Sequence, residues 1–363
     1  MFEAGGIEHR IARAEHDVEL RQLLKANAMD SWVQLAMERE PAYFQGSGLM
    51  GDSVTVIAHT HDGCVVGMYN CNRLPVHVNG QARNLVYLGG LRVNPRYRMR
   101  FRILKNGFES IRQLLPFDGS LPFYFTSIAS ENRVARRLLE AGLKGLPRYE
   151  WVDELLSLAM STRQGKIHGL LRPAQADDVT AITELYNRTV QAYQFSAVLE
   201  ESWLYSLDGS HGLRLEDFWV YEQAGELKAC MAFWDQTAFK QIRVQGYRFP
   251  VNMLRPFYNG FARLTGRISL PPRGRLFSQA YWCFLALDET VTRLAVPLLQ
   301  DGLGRAAQKG IESLVVGMSR HNPLCGILQQ FPLQIYKTCI ETVSWDSSLI
   351  RLQGPAQPEI ALL

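Results

Sequence analysis

Hydrophobic and polar positions follow the same order of patterns twice along the chain. Each half opens with a short apolar strand pattern that ends near an aspartate, Asp17 in the first half and Asp178 in the second. An amphipathic helix pattern follows each aspartate, through Leu20, Leu23 and Leu24 and through Ile182, Leu185 and Tyr186. Because an aspartate before such a pattern can cap a helix, we predict a short strand and a capped helix at the start of each half.

A β-hairpin is predicted next in each half. Residues 53–59 and 64–71 have strand character and are joined by Asp62-Gly63, a strong tight-turn signal. In the second half, residues 217–223 and 227–234 flank a turn at Gly225. The interval from the capping aspartate to the turn glycine is nearly equal in the two halves, which indicates an internal repeat.

The repeat continues with a strand, a helix and a further strand. The strands at 84–93 and 276–287 precede helix patterns, and the strands at 123–128 and 313–318 end just before Asn132 and Asn322. We predict an α+β fold of two tandem domains, each a mixed, mostly antiparallel sheet flanked by helices. The predicted divisions are an N-terminal domain at 1–160, a C-terminal domain at 168–350 with an insertion at 247–275, and a tail at 351–363.

Composition narrows the class of protein. The 363 residues are 47% hydrophobic and 20% charged, which is typical of a globular chain and excludes a disordered or collagenous one. No apolar run is long enough for a membrane span, and the first residues lack the pattern of a secretory signal. Six cysteines without CxxC spacing predict reduced thiols in a cytoplasmic protein, and the scattered histidines give no metal-site spacing.

The formal charge of +4 conceals two basic segments without any Asp or Glu. Each segment holds eight basic residues: the first spans residues 63–108 and the second spans residues 236–287. Such segregation creates local positive potential that suits an anionic ligand or surface. The alternative is that these side chains are solvated or are paired with acids from elsewhere in the fold.

Two passages of the first half stand out. One is Leu88-Gly-Gly-Leu-Arg-Val-Asn-Pro95-Arg-Tyr97-Arg98, and the other runs from Ser130 to Leu143. They resemble two motifs of the GNAT (GCN5-related) N-acyltransferase superfamily: the central motif, in which a strand leads into a loop and helix that hold the pyrophosphate of acetyl-CoA, and the second motif, a helix opened by an asparagine. The resemblance covers most of 10–155 and, in element order alone, 170–346.

The resemblance implies an acyl-CoA co-substrate, direct attack by an amine and no metal. The implied cofactor-binding residues are Leu91, Arg92, Val93, Arg98, Met99, Arg100, Phe101, Arg102 and Ile103. Tyr87 and Asn132 are the implied catalytic candidates, although a strand tyrosine can be core and an asparagine can simply cap a helix. Glu40 and Tyr43, together with Glu38, fall where the family places its acceptor wall, and His321 is a weaker candidate at a strand end.

The sequence departs from the family pattern at several positions. Phe101 and Ile103 stand where small glycines allow close approach to the pyrophosphate, so we expect their side chains to obstruct it. Leu139 replaces a tyrosine that often acts as general acid in the family. In the second half, Asp288 and Glu289 follow the strand directly and would repel a phosphate, so we expect no CoA site there.

Three function classes therefore remain open. The leading hypothesis is an acyl-CoA-dependent N-acyltransferase that acts on a small-molecule or peptide amine. The second is a catalytically inactive tandem protein that binds acyl-CoA or a protein partner. The third is a basic surface for nucleic acid or anionic lipid, suggested by residues 236–287. No nucleic-acid-binding signature supports nucleic acid, and an oligomer stays possible.

Overall fold

The computed structural model describes residues 6–29, 32–98, 100–114, 121–345 and 351–363. The strands are Ile7–Ile11 (β1), Val33–Glu38 (β2), Asp52–Thr60 (β3), Val65–Val78 (β4), Gln81–Val93 (β5), Tyr124–Ala129 (β6), Arg148–Ser161 (β7), Arg172–Pro173 (β8), Phe218–Gln223 (β9), Glu226–Trp234 (β10), Gln241–Tyr247 (β11), Gln279–Leu287 (β12), Ser313–Ser319 (β13) and Leu333–Ser344 (β14). The helices are Asp17–Lys25 (α1), Phe101–Leu114 (α2), Arg133–Leu139 (α3), Val179–Val190 (α4), Glu201–Tyr205 (α5), Val251–Leu264 (α6), Ala295–Gln308 (α7) and Pro323–Leu328 (α8).

The predicted α+β class, with mostly antiparallel strands, is confirmed. Twelve strands form one sheet in the order β1-β3-β4-β5-β6-β14-β7-β13-β12-β10-β9-β8, and β2 pairs with β11 in a separate two-stranded sheet. The parallel pairs in the large sheet are β5 with β6 and β12 with β13, one in each half. The α2 and α7 crossovers join the strands of these pairs, as a parallel connection requires.

The two halves share their sheet by exchanging strands. The last strand of the second half, β14, lies between β6 and β7 of the first half. Strand β7 in turn pairs with β13 of the second half over Leu155–Ser161 and Ser313–Ser319. The sequence predicts a sheet for each half, and the structure adds that the two sheets are continuous. Each half therefore depends on a strand of the other for its complete sheet.

Neither predicted capping aspartate caps its helix through its side chain. A 3-10 turn precedes each helix and supplies its first hydrogen bonds, which frees both carboxylates for other partners. Asp17 accepts from the amide of Tyr43 at 2.6 Å and from Arg21 at 2.7 Å. Asp178 binds the two Nη atoms of Arg172 at 2.6 and 2.9 Å. Asp178 also accepts from the amide of Gln175 at 2.8 Å and so closes the capping box of the 3-10 turn before α4. Both aspartates thus stabilise the start of their half through charge-assisted contacts rather than as the N-cap of the α-helix.

The largest hydrophobic cluster joins the two halves. It includes Tyr87 of β5 and Phe125 of β6 in the first half, and Tyr186 of α4 and Phe284 of β12 in the second. Phe195, in the loop after α4, stacks on Phe125 with ring centroids 4.7 Å apart. Four residues of the tail belong to the same cluster: Ala356, Ile360, Ala361 and Leu362. A core of this kind fixes the position of each half relative to the other.

Candidate functional site

Strands β5 and β6 separate from one another after two residue pairs. Tyr87 pairs with Phe125 and Leu88 pairs with Thr126, and the hydroxyl of Thr126 donates to the carbonyl of Leu88 at 2.6 Å. Strand β5 nevertheless continues to Val93. The two strands therefore diverge toward their carboxyl ends and leave a gap, which we call the first gap.

A bulge in β5 lies inside the first gap. Met68 of β4 pairs with Arg92 and Asn70 pairs with Gly89, so β5 has one residue in excess at Gly90-Leu91. Gly90 has a φ of 61°, a left-handed conformation that glycine adopts readily. A bulge of this kind interrupts the ladder and re-aims main-chain groups. The first gap is thus bordered by main-chain groups outside the regular pairing of β5.

Tyr87 lies at the closed end of the first gap. Its hydroxyl is 2.7 Å from the hydroxyl of Ser127 on β6, and its ring packs against Phe125 with centroids 5.2 Å apart. Burial raises the pKa of Tyr87, so the phenol keeps its proton at neutral pH. Tyr87 can therefore offer a hydrogen bond beside the gap, and it cannot serve as a base there.

The loop after β5 and the start of α2 form a basic surface on one side of the first gap. Four arginines of this segment are exposed: Arg96, Arg98, Arg100 and Arg102. Arg98 donates to the side chain of Asn27 at 2.9 Å, and Arg100 lies 4.7 Å from the centre of the Tyr97 ring. The first turn of α2 contains no acidic residue. Since a helix start favours anions, this surface suits a phosphate group.

The other residues of this predicted cofactor segment differ in orientation. The side chain of Ile103 is buried with Ala58 and Val66, so it points away from the start of α2. Phe101 is partly exposed at the first position of the helix. Leu91 and Val93 are half-buried and pack against the clusters beneath α2. Met99 lies outside the described residues.

Arg92 projects on the opposite side of the sheet from Leu91 and Val93. Its guanidinium donates to the carbonyl of Leu91 at 2.9 Å and approaches the sulfur of Met37 at 3.9 Å. Burial lowers the pKa of Arg92, although the group stays charged at neutral pH. No carboxylate within the described ranges pairs with Arg92. This side of the gap therefore carries a half-buried positive charge.

A buried polar cluster adjoins Arg92 on this side. The hydroxyl of Tyr43 donates to Oδ1 of Asn70 at 2.5 Å, and the hydroxyl of Thr55 donates to the same atom at 3.0 Å. Asn70 also lies against Gly90, since a Cβ at that glycine would come within 3.1 Å of the Asn70 amide group. Burial raises the pKa of Tyr43, so this phenol too is neutral at neutral pH.

The two glutamates of the predicted acceptor wall are engaged in ion pairs. Glu40 lies 2.6 Å from both Arg21 and Lys25, and these partners lower its pKa. Glu38 is buried on β2 and accepts from Arg243 of β11 at 2.8 Å. The second of these pairs joins the β2–β11 sheet across the two halves. Both carboxylates therefore hold the wall together and are not placed as free bases.

A small cavity of about 30 Å³ lies near this wall, between the two halves, and no sequence pattern indicates it. Arg39 and Lys240 line it, and the ammonium of Lys240 donates to the main-chain oxygen of Leu363 at 2.7 Å. Burial lowers the pKa of Lys240 to about 7. Gln236 also lines the cavity, and its Oε1 is buried without a hydrogen-bond partner among the described residues.

The remaining predicted residues lie further along the strands. Oδ1 of Asn132 accepts from the amide of Ala135 at 3.2 Å, so this exposed asparagine is the N-cap of α3. His321 is exposed after β13, and its amide donates to the hydroxyl of Ser319 at 3.2 Å. The capping role accounts for the placement of Asn132 without a ligand.

The second half has an equivalent gap, and the chain itself fills it. Strands β12 and β13 pair over Gln279–Tyr281 and Ser313–Val315 and then diverge. The tail enters this second gap, where Oε2 of Glu359 accepts from the amide of Phe284 at 3.1 Å. Ile360 packs directly on Gly317 of β13. The second gap therefore has no room for a ligand in the place that the tail occupies.

The start of α7 also differs from that of α2. Asp288 caps the turn that precedes α7 by accepting from the amide of Thr290 at 3.0 Å, and Glu289 follows it. These carboxylates lie where the first half has exposed arginines. Charge at the helix start thus distinguishes the two halves.

Two comparisons find no relative: no family model matches the chain, and no curated protein matches it. Solved structures do match. N-myristoyltransferase of Saccharomyces cerevisiae with bound myristoyl-CoA superposes with a TM-score of 0.62 at 12% identity, over 96% of this chain and 84% of that chain. A GCN5-related N-acetyltransferase from Sphaerobacter thermophilus gives a TM-score of 0.57 at 12% identity, over 96% and 98%.

A third structure, a GCN5-related glucosamine N-acetyltransferase region of a fungal multi-domain β-N-acetylglucosaminidase, gives a TM-score of 0.60 at 9% identity, over 93% of this chain and 38% of that chain. The chain therefore has the GNAT fold, in the tandem arrangement that the repeat predicts. Within the described residues, no cluster of three or more His, Cys, Asp or Glu could hold a metal ion. None of the described helices is long and apolar enough to cross a bilayer.

Proposed function

We propose that this protein is an acyl-CoA-dependent N-acyltransferase whose first half holds the co-substrate. The observation that carries the proposal is the divergence of β5 and β6 beside a helix start with exposed arginines and no acid. The second half supplies an internal comparison, because its gap holds the tail and its helix start is acidic. Within the described residues, the first half thus combines diverging strands with a basic helix start, and the second half does not.

The proposed position of acyl-CoA follows from this geometry. The pyrophosphate would lie at the start of α2, near the main-chain amides of Phe101 and Arg102, where Arg98 and Arg100 add positive charge. Because Ile103 is buried, its side chain leaves this helix start open. The acyl arm would follow β5 from Val93 toward Tyr87, within the first gap. Its thioester carbonyl would then lie near the bulge at Gly90.

The amine acceptor would approach from the side of Arg92, Tyr43 and the β2–β11 wall. Attack of the amine nitrogen on the thioester carbon forms the C–N bond and breaks the C–S bond, and CoA leaves as its thiol. Since Tyr87 and Tyr43 are neutral and Glu40 is ion-paired, water is the proposed acceptor of the amine proton. Tyr87 would contribute a hydrogen bond at the closed end of the gap.

Acyl-CoA binding tests the proposal. Thermal or chemical denaturation should show stabilisation by about 2.7 kcal/mol when an acyl-CoA is present at roughly one hundred times its dissociation constant. The double variant Arg98→Ala with Arg100→Ala should bind at least about tenfold more weakly, because the two proposed charge-assisted contacts are lost. Arg293→Ala is the matched control, since Arg293 is an exposed arginine at the equivalent helix start of the second half. Equal weakening by the control, or no binding of any acyl-CoA, would overturn the proposal.

One observation favours a second function, acyl-CoA binding without turnover. Of the implied site residues, Tyr87 and Tyr43 are neutral and Glu38 and Glu40 are paired, so none of these four is placed as a base. Measurement of CoA release across a panel of amines separates the two functions. Release above the rate without protein supports the transferase, and tight binding with no release supports the binding protein.

A further inference from the structure

Helix α6 presents its apolar face to solvent. Met253, Leu254, Phe257, Phe261 and Leu264 have exposed fractions between 49% and 89%, and Phe249 just before the helix is 79% exposed. At 100° per residue, the five helical positions fall within one stripe about 100° wide. Monomeric proteins rarely expose so large a contiguous apolar surface, and such surfaces mark interaction sites.

The helix is attached to the rest of the protein through its polar side. Asn259 exchanges two hydrogen bonds with the main chain of Leu270, at 2.8 and 3.0 Å. The hydroxyl of Tyr258 donates to the carbonyl of Ile268 at 3.2 Å and accepts from Gln334 at 3.1 Å. These contacts fix the rotation of α6 about its axis. The outward direction of the apolar stripe is therefore built into the fold, opposite to the usual arrangement of a surface helix.

The surroundings of the apolar stripe are positively charged. Helix α6 lies within residues 236–287, which contain eight basic residues and no Asp or Glu. Exposed arginines of this segment include Arg263 on α6 and Arg273 and Arg275 after it. Among the described elements, the first half has no counterpart of α6. The insertion thus adds an aromatic-rich apolar stripe flanked by cations.

We propose that α6 binds the surface of an anionic lipid bilayer, with its apolar stripe in the acyl region and the arginines at the headgroups. Aromatic and aliphatic side chains on one face, with basic residues beside them, are typical of interfacial helices. Anionic headgroups complement a segment without acids. A second copy of this chain fits less well, because two such faces would place arginines against arginines with no carboxylate from 236–287 between them. The inference is independent of the proposed acyltransferase function.

Vesicle flotation with the full-length protein tests this surface. The vesicles are phosphatidylcholine alone and phosphatidylcholine mixed with phosphatidylglycerol. We expect the protein to float with the anionic vesicles, and salt to weaken that binding. The double variant Phe257→Ser with Phe261→Ser should lose at least about tenfold in affinity, because two aromatic side chains leave the interface. Both side chains are exposed, so the variant should keep the melting temperature of the wild type.

Two matched controls separate the helix from general surface effects. Trp151→Ser with Tyr205→Ser removes two exposed aromatic side chains elsewhere and should leave vesicle binding unchanged. Arg263→Glu with Arg273→Glu should abolish binding to anionic vesicles, whereas Lys144→Glu with Arg293→Glu, the same charge change elsewhere, should weaken it only slightly.

Several results would overturn the inference. One is wild-type binding to neither vesicle type. Another is equal vesicle binding by the wild type and the Phe257→Ser, Phe261→Ser variant. A third is a wild-type dimer in solution that this variant converts to a monomer without any lipid binding, which would identify α6 as a self-association face.

Discussion

The contact between Gly317 and Ile360 predicts a strong energetic coupling between β13 and the tail. A Cβ added at Gly317 would lie 2.3 Å from Cγ2 of Ile360, and 3.2 Å from its Cβ and Cγ1. The first of these distances is more than 1 Å short of an ordinary van der Waals contact. Gly317→Ala should therefore destabilise the protein by about 1–3 kcal/mol, the usual cost of overpacking.

The variant Ile360→Ala removes the carbon that causes this clash. On its own, Ile360→Ala should lower the free energy of unfolding by about 2–4 kcal/mol, because Ile360 is 8% exposed and its truncation leaves a cavity. In the double variant the new Cβ at position 317 enters the space that Cγ2 leaves. The double variant should then cost little more than Ile360→Ala alone, which gives a coupling energy of about 1–2 kcal/mol.

Urea denaturation of the four proteins measures this coupling. Gly326→Ala is the control, because a Cβ at that helical glycine would have no neighbour within 4 Å, and its effect should add to that of Ile360→Ala. Additivity of Gly317→Ala and Ile360→Ala to within about 0.5 kcal/mol would refute the placement of the tail in the second gap. If the tail fills that gap, acyl-CoA should bind with a stoichiometry of one per chain.

Three further predictions concern single contacts. Arg243→Ala should lower the free energy of unfolding by about 3 kcal/mol or more in chemical denaturation, because it leaves the buried carboxylate of Glu38 unpaired. If Arg243→Ala lowers the stability less than Glu38→Gln does, this account is contradicted. Tyr87→Phe and Ser127→Ala should each lower the free energy of unfolding by about 1 kcal/mol in chemical denaturation. The double variant should lose less than the sum of the two, because both substitutions break the same hydrogen bond. Burial raises the pKa of Glu359 from 4.5 to about 7, so its stabilising contribution is complete below pH 4.5 and is lost as the pH rises through 7. Glu359→Gln should therefore lose less stability than the wild type between pH 5 and pH 8, by up to about 3 kcal/mol, and equal slopes would contradict the buried carboxyl.

The order of elements could be predicted from the sequence because it depends on local patterns. The structure has the predicted turn at Asp62-Gly63, between β3 and β4. It also has the predicted strand that ends just before Asn94-Pro95. The burial of the Ile103 side chain can also be predicted from the sequence, since Ile103, Leu104 and Phe108 share the apolar face of α2. A side chain on that buried face does not obstruct a pyrophosphate at the helix start, so the expected obstruction by Ile103 is wrong.

Other features could not be predicted because they depend on contacts between distant segments. The alternation of apolar and polar residues in β7 and β14 would be the same with either set of neighbours. The sequence therefore does not indicate which strands β7 and β14 pair with. The tail gives only a short apolar run at Ile360–Leu362, which is too brief to indicate a strand or helix. The outward stripe of α6 has the same period as an inward one, so its direction follows only from tertiary contacts such as the hydrogen bonds of Asn259 and Tyr258.

The bulges of the two halves connect the tail to the proposed chemistry. In β12 the residue in excess falls at Phe284-Leu285, opposite Met231, just as Gly90-Leu91 lies opposite Tyr69 in β5. Phe284 and Gly90 have similar positive φ values, 51° and 61°. In the second half, a carboxylate oxygen of Glu359 accepts from the amide at this bulge.

If the bulge of β5 has the same geometry as that of β12, the amide of Gly90 faces an acceptor oxygen in the first gap. The thioester carbonyl is proposed to lie at that place. An amide in that position would stabilise the negative charge that develops on the carbonyl oxygen as the amine attacks. The tail therefore occupies, in the second half, the site at which the first half is proposed to activate its substrate.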